Sequence, residues 1–465
     1  MNRVFVCLLA FIFLLSAASS AAFEFNISAD KVSLQAEQVP LQDILKRFSD
    51  GGIRVRIDPQ INPLISASFK ELPLQKGLTS ILKSLNHVLL WESSSSLKGA
   101  APRLAEIQVF RPGRKEAMRP LASSSVLSLD RDPKTGALFV KNELLVTLKP
   151  GVTLSEFENL LVQIGGRITG YYTATGVYRI RLPDGADVPA LVESILEQPE
   201  VARAEPNYVY PTFDPYRISG LTVPELPKVS GLKDAVPIAI IDTGFRREAG
   251  SELERLVLAS LDSLNPGSPI SDNLGHGTQM ALIASGVVKP AGFEGDLSPH
   301  IPLIPIRAID ENGFVSGFQL MQGIEFAINS GARVLSLSWG GETYSGFMES
   351  AMNEARSRGL VVVASAGNEP TGKAVYPAAY PSVIGVGALD QNGKIWSESN
   401  FGSSVSLYAP GVASLPVGYK GDPGSYAGTS IAAAFMANRI ALYLSIHPDA
   451  SIEEYFDALR KKKEP

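Results

Sequence analysis

Residues 236–244 read Val236-Pro237-Ile238-Ala239-Ile240-Ile241-Asp242-Thr243-Gly244. The run 236–241 is apolar throughout and ends on a carboxylate and a turn. A strand without polar alternation is buried on both faces, as in a mostly parallel sheet covered by helices. The same texture returns at 334–337, 360–364 and 383–386, and helical stretches surround Met280, Ile324 and Met352. The expected fold class of this part is therefore α/β, a mostly parallel sheet with helices on both faces. Ligands of such sheets collect at the carboxyl ends of the strands, which is where Asp242 stands.

Three more motifs follow Asp242. His276 lies in Gly275-His276-Gly277-Thr278 at the start of a helix. The chain has four histidines; His300 and His447 adjoin prolines and His87 has no companions. Imidazole is the side chain suited to moving a proton near neutral pH. Asn368 ends Ala364-Ser365-Ala366-Gly367-Asn368, where it either takes a left-handed turn or offers a side-chain donor to an oxyanion. Ser430 lies in Gly428-Thr429-Ser430-Ile431-Ala432-Ala433, ahead of an apolar helix reaching to about residue 447. A serine there either caps the helix or acts as a nucleophile where unpaired N–H groups favour an anion. Asp-Thr-Gly is also the signature of aspartic proteases, which need two copies, and the chain has one.

The upstream half reads as two small α+β domains. In residues 23–112, Leu41, Ile44, Leu45 and Phe48 form a helical stripe, Ile53, Val55 and Ile57 a half-exposed strand, and Leu74, Leu78, Ile81 and Leu82 a second stripe. Residues 113–135, rich in Arg, Pro and Ser, read as a linker. In 136–212 the order is βαββαβ, with Thr153 and Glu156 at capping-box spacing.

The order Asp242, His276, Asn368, Ser430 and the motifs around them resemble the subtilisin-like serine proteases (peptidase S8) over residues 230–447, within a catalytic domain spanning 213–465. Asp, His, Ser is the subtilisin order, unlike that of chymotrypsin or the α/β-hydrolases. The resemblance implies that Asp242 orients and stabilises the imidazolium and that His276 is general base and then acid. Ser430 would be the nucleophile and Asn368 the oxyanion donor. It implies that Ser336-Leu337-Ser338-Trp339-Gly340-Gly341 pairs with extended substrate, with Ala364, Ser365, Ala366 and Gly367 as the other wall of the specificity pocket. Bulky Trp339 either narrows the upstream subsites or packs in the core, and Glu369 beside the pocket suggests a polar or basic preference. No cofactor is required for this chemistry; structural calcium is common in the family, with Asp272, Asp296 and Asp310 as candidate contributors. The chain departs from the family pattern at Ala434-Phe435, at Asn438 and at Gln279-Met280-Ala281-Leu282, which bears on packing behind Ser430.

Residues 136–212, with Gly176-Val177-Tyr178-Arg179-Ile180 and Gln198-Pro199-Glu200-Val201-Ala202, resemble the propeptide of the same family. That implies an intramolecular inhibitor that helps folding, fills the cleft and is cut off by the enzyme somewhere after Asn207. Residues 23–112, with Val39-Pro40-Leu41-Gln42-Asp43 and Leu74-Gln75-Lys76-Gly77-Leu78, resemble the short N-terminal domain of secretins and TonB-linked receptors. That implies docking to envelope secretion or receptor machinery.

Residues 1–22 have the basic start, short apolar core and small-residue end of a secretory signal. The sole cysteine, Cys7, falls inside it, so disulfides are not expected in the mature chain. A formal net charge of −5 gives no reason to expect nucleic acid as a partner. The expected function is an exported serine endopeptidase, periplasmic or extracellular, made as a zymogen and acting on proteins or peptides. The alternative is a weakly active or inactive scaffold serving as an envelope binding protein.

Overall fold

The computed structural model describes residues 24–28, 31–50, 53–92, 103–121, 126–219, 221–223, 226–228, 230, 235–247, 251–297, 299–402 and 404–461. The expected export signal, Cys7 included, lies outside the described residues.

The first unit holds β1 (Glu24–Ser28), β2 (Lys31–Pro40), α1 (Leu41–Asp50), β3 (Arg54–Ile57), β4 (Leu64–Pro73), α2 (Leu74–Leu82), β5 (Asn86–Glu92), β6 (Arg103–Phe110) and β7 (Arg119–Pro120). They form two sheets, in the orders β1-β2-β4 and β5-β6-β3-β7. The stripes of α1 and α2 enter one core with Val55, Ile107 and Val109. Residues 113–135, expected to be a linker, include two paired strands among their described residues. β7 pairs with β3, and β8 (Leu129–Arg131) pairs with the first long strand of the next unit.

That unit contains β9 (Leu138–Leu148), α3 (Leu154–Gln163), β10 (Arg167–Tyr172), β11 (Val177–Arg181), α4 (Val188–Leu196) and β12 (Val201–Pro211). Thr153 and Glu156 close the capping box that opens α3, and Asp187 caps α4. The two helices share one core with Leu144, Val146 and Ile180.

The third unit comprises β13 (Tyr216–Ile218), β14 (Ile238–Asp242), β15 (Leu261–Asp262), α5 (His276–Ala284), β16 (Leu303–Arg307), β17 (Phe314–Ser316), α6 (Gly317–Asn329), β18 (Val334–Leu337), α7 (Gly346–Ser357), β19 (Val361–Ser365), β20 (Val383–Leu389), β21 (Leu407–Pro410), β22 (Val412–Leu415), β23 (Gly424–Ala427), α8 (Thr429–Ile446) and α9 (Ile452–Lys461). Its seven-stranded sheet runs β15-β16-β14-β18-β19-β20-β21, parallel at every pairing. One face packs against α5 and α8, the other against α6 and α7. Behind Ser430, Phe435 meets Phe293 edge to face and Asn438 Nδ2 donates to Ala284 O at 2.9 Å, while among the described residues Asn438 Oδ1 and Gln279 Oε1 are buried without a partner.

The second and third units share a seam. β12 leaves β9 and pairs with β17, extending the sheet to β10-β11-β9-β12-β17. Beside it, two side chains of β12 meet the starts of two helices. Asn207 Oδ1 accepts from the N–H of Phe318 in α6 at 3.1 Å, and Glu205 accepts from Gly346 N of α7 at 3.2 Å and from the Ser345 hydroxyl. N–H groups of a first helical turn lack partners within their own helix, so both contacts satisfy donors across the seam.

Candidate active site

Asp242 ends β14, and the chain returns to it through α5. A Cβ on Gly277 would lie 2.3 Å from Gly244 O, so only glycine lets the first turn of α5 rest on the turn after β14. That approach brings His276 Nδ1 to 2.7 Å from Asp242 Oδ1, with both side chains buried. Burial alone would depress the imidazole, but the Asp242 carboxylate outweighs it and holds His276 above its ordinary value.

Asp272 fixes this junction. Its Oδ1 accepts from Thr243 Oγ1 at 2.8 Å and Gly275 N at 2.7 Å; its Oδ2 accepts from Thr278 N at 2.9 Å and Thr278 Oγ1 at 2.6 Å. Asp310 accepts from the backbone N–H groups of Leu127, Asn312 and Phe314. These two candidate calcium contributors are thus committed to hydrogen bonds. Among the described residues, including Asp296, no three His, Cys, Asp or Glu side chains gather as a metal site would. Asp272 is the positioning residue the sequence reading missed; its signal was an acid three residues before a Gly-His-Gly turn.

Ser430 is the second residue of α8 and fully buried, its Oγ 3.5 Å from Ser338 O. Among the described residues, His276 Nε2 is buried without a hydrogen-bond partner. Asn368 is aimed by Thr429, whose N–H and hydroxyl both donate to Asn368 Oδ1 at 2.9 Å. With its oxygen so engaged, the amide turns its Nδ2 outward, where it donates to Asp214 O at 3.1 Å. The donor therefore already holds a carbonyl of this same chain. An imidazole with a carboxylate behind it, a hydroxyl at a helix N-terminus and an amide donor on a carbonyl are the parts of acyl transfer.

The residues expected to bind substrate divide into two groups. Gly340 N donates to Pro211 O at 3.1 Å, so the strand after β18 does pair with an extended segment. Gly340 and Gly367 face one another across a pocket shared with Val375, part of a cleft of about 670 Å³ that Glu369 also borders. Ser336, Leu337, Ala364 and Ser365 are buried sheet positions instead, and Ala366 N is held by Val386 O at 3.0 Å. Trp339 is a core side chain: its indole N–H donates to Ile241 O at 3.1 Å and its ring lies 5.9 Å from that of Tyr210.

Comparison with known proteins bears on this geometry. The pattern of the subtilase family (Peptidase_S8) matches residues 233–463, and that of the fervidolysin N-terminal prodomain matches 130–207. Subtilisin NAT of Bacillus subtilis subsp. natto is 30% identical over 300 residues, covering 63% of this chain and 76% of its own length. The chain belongs to the subtilase family. Subtilisin of Bacillus pumilus is 34% identical to this subtilase over 240 residues, covering 50% of this chain and 86% of its own. The crystal structure of fervidolysin from Fervidobacterium pennivorans, a keratinolytic enzyme related to subtilisin, superposes with a TM-score of 0.56 at 23% identity. That match covers 69% of this chain and 57% of fervidolysin, and it shows a common fold. The protein is a subtilisin-like serine endopeptidase with an N-terminal prodomain able to inhibit it in the same chain.

Proposed function

We propose that this subtilase is an exported zymogen whose third unit cuts peptide bonds through an acyl-enzyme on Ser430. The observation that carries the reading is the buried 2.7 Å contact of His276 with Asp242. Ser430 Oγ attacks the substrate carbonyl while His276 Nε2 takes its proton. The imidazolium rests against Asp242, and the carbonyl oxygen takes up negative charge against Asn368 Nδ2 and the N-terminus of α8. His276 then returns the proton to the departing amine, and water repeats the sequence to free Ser430. A fluorophosphonate probe should label the processed protein, with peptide mapping placing the adduct on Ser430; a probe that leaves Ser430 unmodified refutes the reading. That outcome would favour the inactive scaffold, in keeping with the unmade Ser430–His276 hydrogen bond.

Export to the periplasm or beyond, and docking of residues 23–112 to envelope machinery, belong to the same proposal. Supporting the docking, Leu64 on the edge strand β4 and Leu90 and Trp91 on the edge strand β5 are exposed. Apolar side chains on open strand edges suit pairing with another chain.

Prodomain release carries its own pH dependence. Desolvation in the seam pushes the Glu205 carboxyl up to about 7, against the hydrogen bond from Ser345 and the charge of Arg203. Because the docked value is the raised one, the contribution of Glu205 to docking is full below about 4.5 and is lost as pH rises through about 7. After cleavage, the hold of the prodomain should weaken by about one to two orders of magnitude across that window. The share of peptidase activity still masked after processing, measured from pH 5 to 8, checks this; Glu205→Gln, which cannot ionise, should flatten the profile.

A further inference from the structure

The segment joining prodomain to catalytic body crosses the cleft between two anchors. Upstream, Pro211 O accepts from Gly340 N at 3.1 Å, Thr212 N donates to Gly313 O at 2.8 Å, and Thr212 bridges Trp339 in antiparallel fashion. This seats the Phe213 ring in the specificity pocket, 3.1 Å from the place a Cβ on Gly340 would take and 3.7 Å from that on Gly367. Val375 stands beside both positions. Downstream, Tyr216, Arg217 and Ile218 pair with Ala427, Tyr426 and Ser425 of β23. Asp214 and Pro215 span the interval.

The two anchors disagree by one residue. Acyl transfer needs one carbonyl held by both devices, the pocket through its side chain and the donor through its oxygen. Here Phe213 fills the pocket while Asn368 Nδ2 holds Asp214 O, at 3.1 Å. The bond presented to the donor is thus Asp214–Pro215. Its nitrogen is a ring nitrogen with no N–H, and a ring carbon crowds the leaving side. Asp214 is held in this register through its side chain: the Tyr419 hydroxyl donates to Oδ1, and Lys420 Nζ lies 3.6 Å from Oδ2. Lys420 also stacks over the Tyr419 ring, whose edge meets His276.

We propose that the maturation cut is at Phe213–Asp214, and that Asp214, tied to Tyr419 and Lys420, keeps the precursor one residue out of the cleavable register until that tie opens. This rests on the protease reading above. When the tie opens, the chain shifts so that the Phe213 carbonyl replaces that of Asp214 on Asn368. Ser430 Oγ then bonds to the Phe213 carbonyl carbon and its proton passes to His276 Nε2. The proton goes on to the Asp214 nitrogen as the C–N bond breaks, and water releases Phe213 as a carboxylate. Asp214 becomes the new amino terminus.

The test is a refolding time course of the full-length precursor, read by intact mass and by the first residue of the catalytic fragment. The wild type should begin at Asp214. Asp214→Ala should process at least threefold faster, cut at the same position, and Lys420→Ala, which leaves the segment itself unchanged, should shift the rate in the same direction. A first residue at Pro215 or elsewhere, no cut at all, or both variants processing no faster than wild type overturns the proposal, provided Ser430 accepts the fluorophosphonate. If Ser430 does not accept it and the chain stays whole, the protease reading fails and this proposal fails with it.

Discussion

Ser430→Ala should leave the precursor uncut, with kcat on an added peptide down by a factor on the order of 10⁶, the size measured for losing the nucleophile of a subtilisin. The substitution removes one buried oxygen whose contact, to Ser338 O, is a long 3.5 Å. The surroundings of α8 are otherwise unchanged, because its first turns are already Ile431, Ala432 and Ala433 in the core. The variant should therefore keep the far-ultraviolet spectrum and melting of the uncut wild type while losing both self-cleavage and probe labelling. Cleavage that persisted at the wild-type rate would mean another nucleophile, or another protease, makes the cut.

Asn368→Ala should cost about 2.7 to 4 kcal/mol of transition-state stabilisation, a range that comes from a subtilisin itself, seen as a drop of 10²- to 10³-fold in kcat with little change in KM. Asn368 has two functions, and a pair of variants separates them. Its oxygen holds Thr429, while its nitrogen faces the carbonyl. Asn368→Asp keeps an acceptor for Thr429 but sets a negative charge where the oxyanion forms. If positioning Thr429 were the main contribution, Asp would rescue the Ala variant. If the donor matters, Asp is at least as poor as Ala, and that is the expected result in a steady-state comparison of the two.

The parts of this molecule that could be read from its residues are those where burial leaves a pattern. β14, β18 and β19 are almost wholly apolar because sheet and helices bury both faces, so their place in a covered parallel sheet was legible. α1 and α3 were legible from stripes and caps. β4 was not, since its residues alternate only between exposed and half-exposed and it turns through a positive-φ Glu71. The hydrogen-bonding role of Asp272 was not legible, because one-dimensional spacing does not show that four donors converge on its carboxylate. Trp339 stayed open between a subsite feature and core packing, because sequence does not show side-chain direction; it packs in the core, its indole N–H on Ile241 O. The path of residues 211–218 had no periodic signal, because its register is set by backbone partners on Gly313, Gly340 and β23.

Glu205 and Asn207 have a consequence beyond the seam they occupy. The starts of α6 and α7 are completed by groups from the prodomain, so on the proposed maturation the surroundings in which those turns formed are lost. We expect the mature body to persist through slow unfolding, with a lifetime set by the height of a barrier rather than by an equilibrium with the unfolded chain. Its thermal inactivation should accordingly shift with heating rate, and activity should not return on cooling, whereas the uncut Ser430→Ala chain, which retains both contacts, should refold.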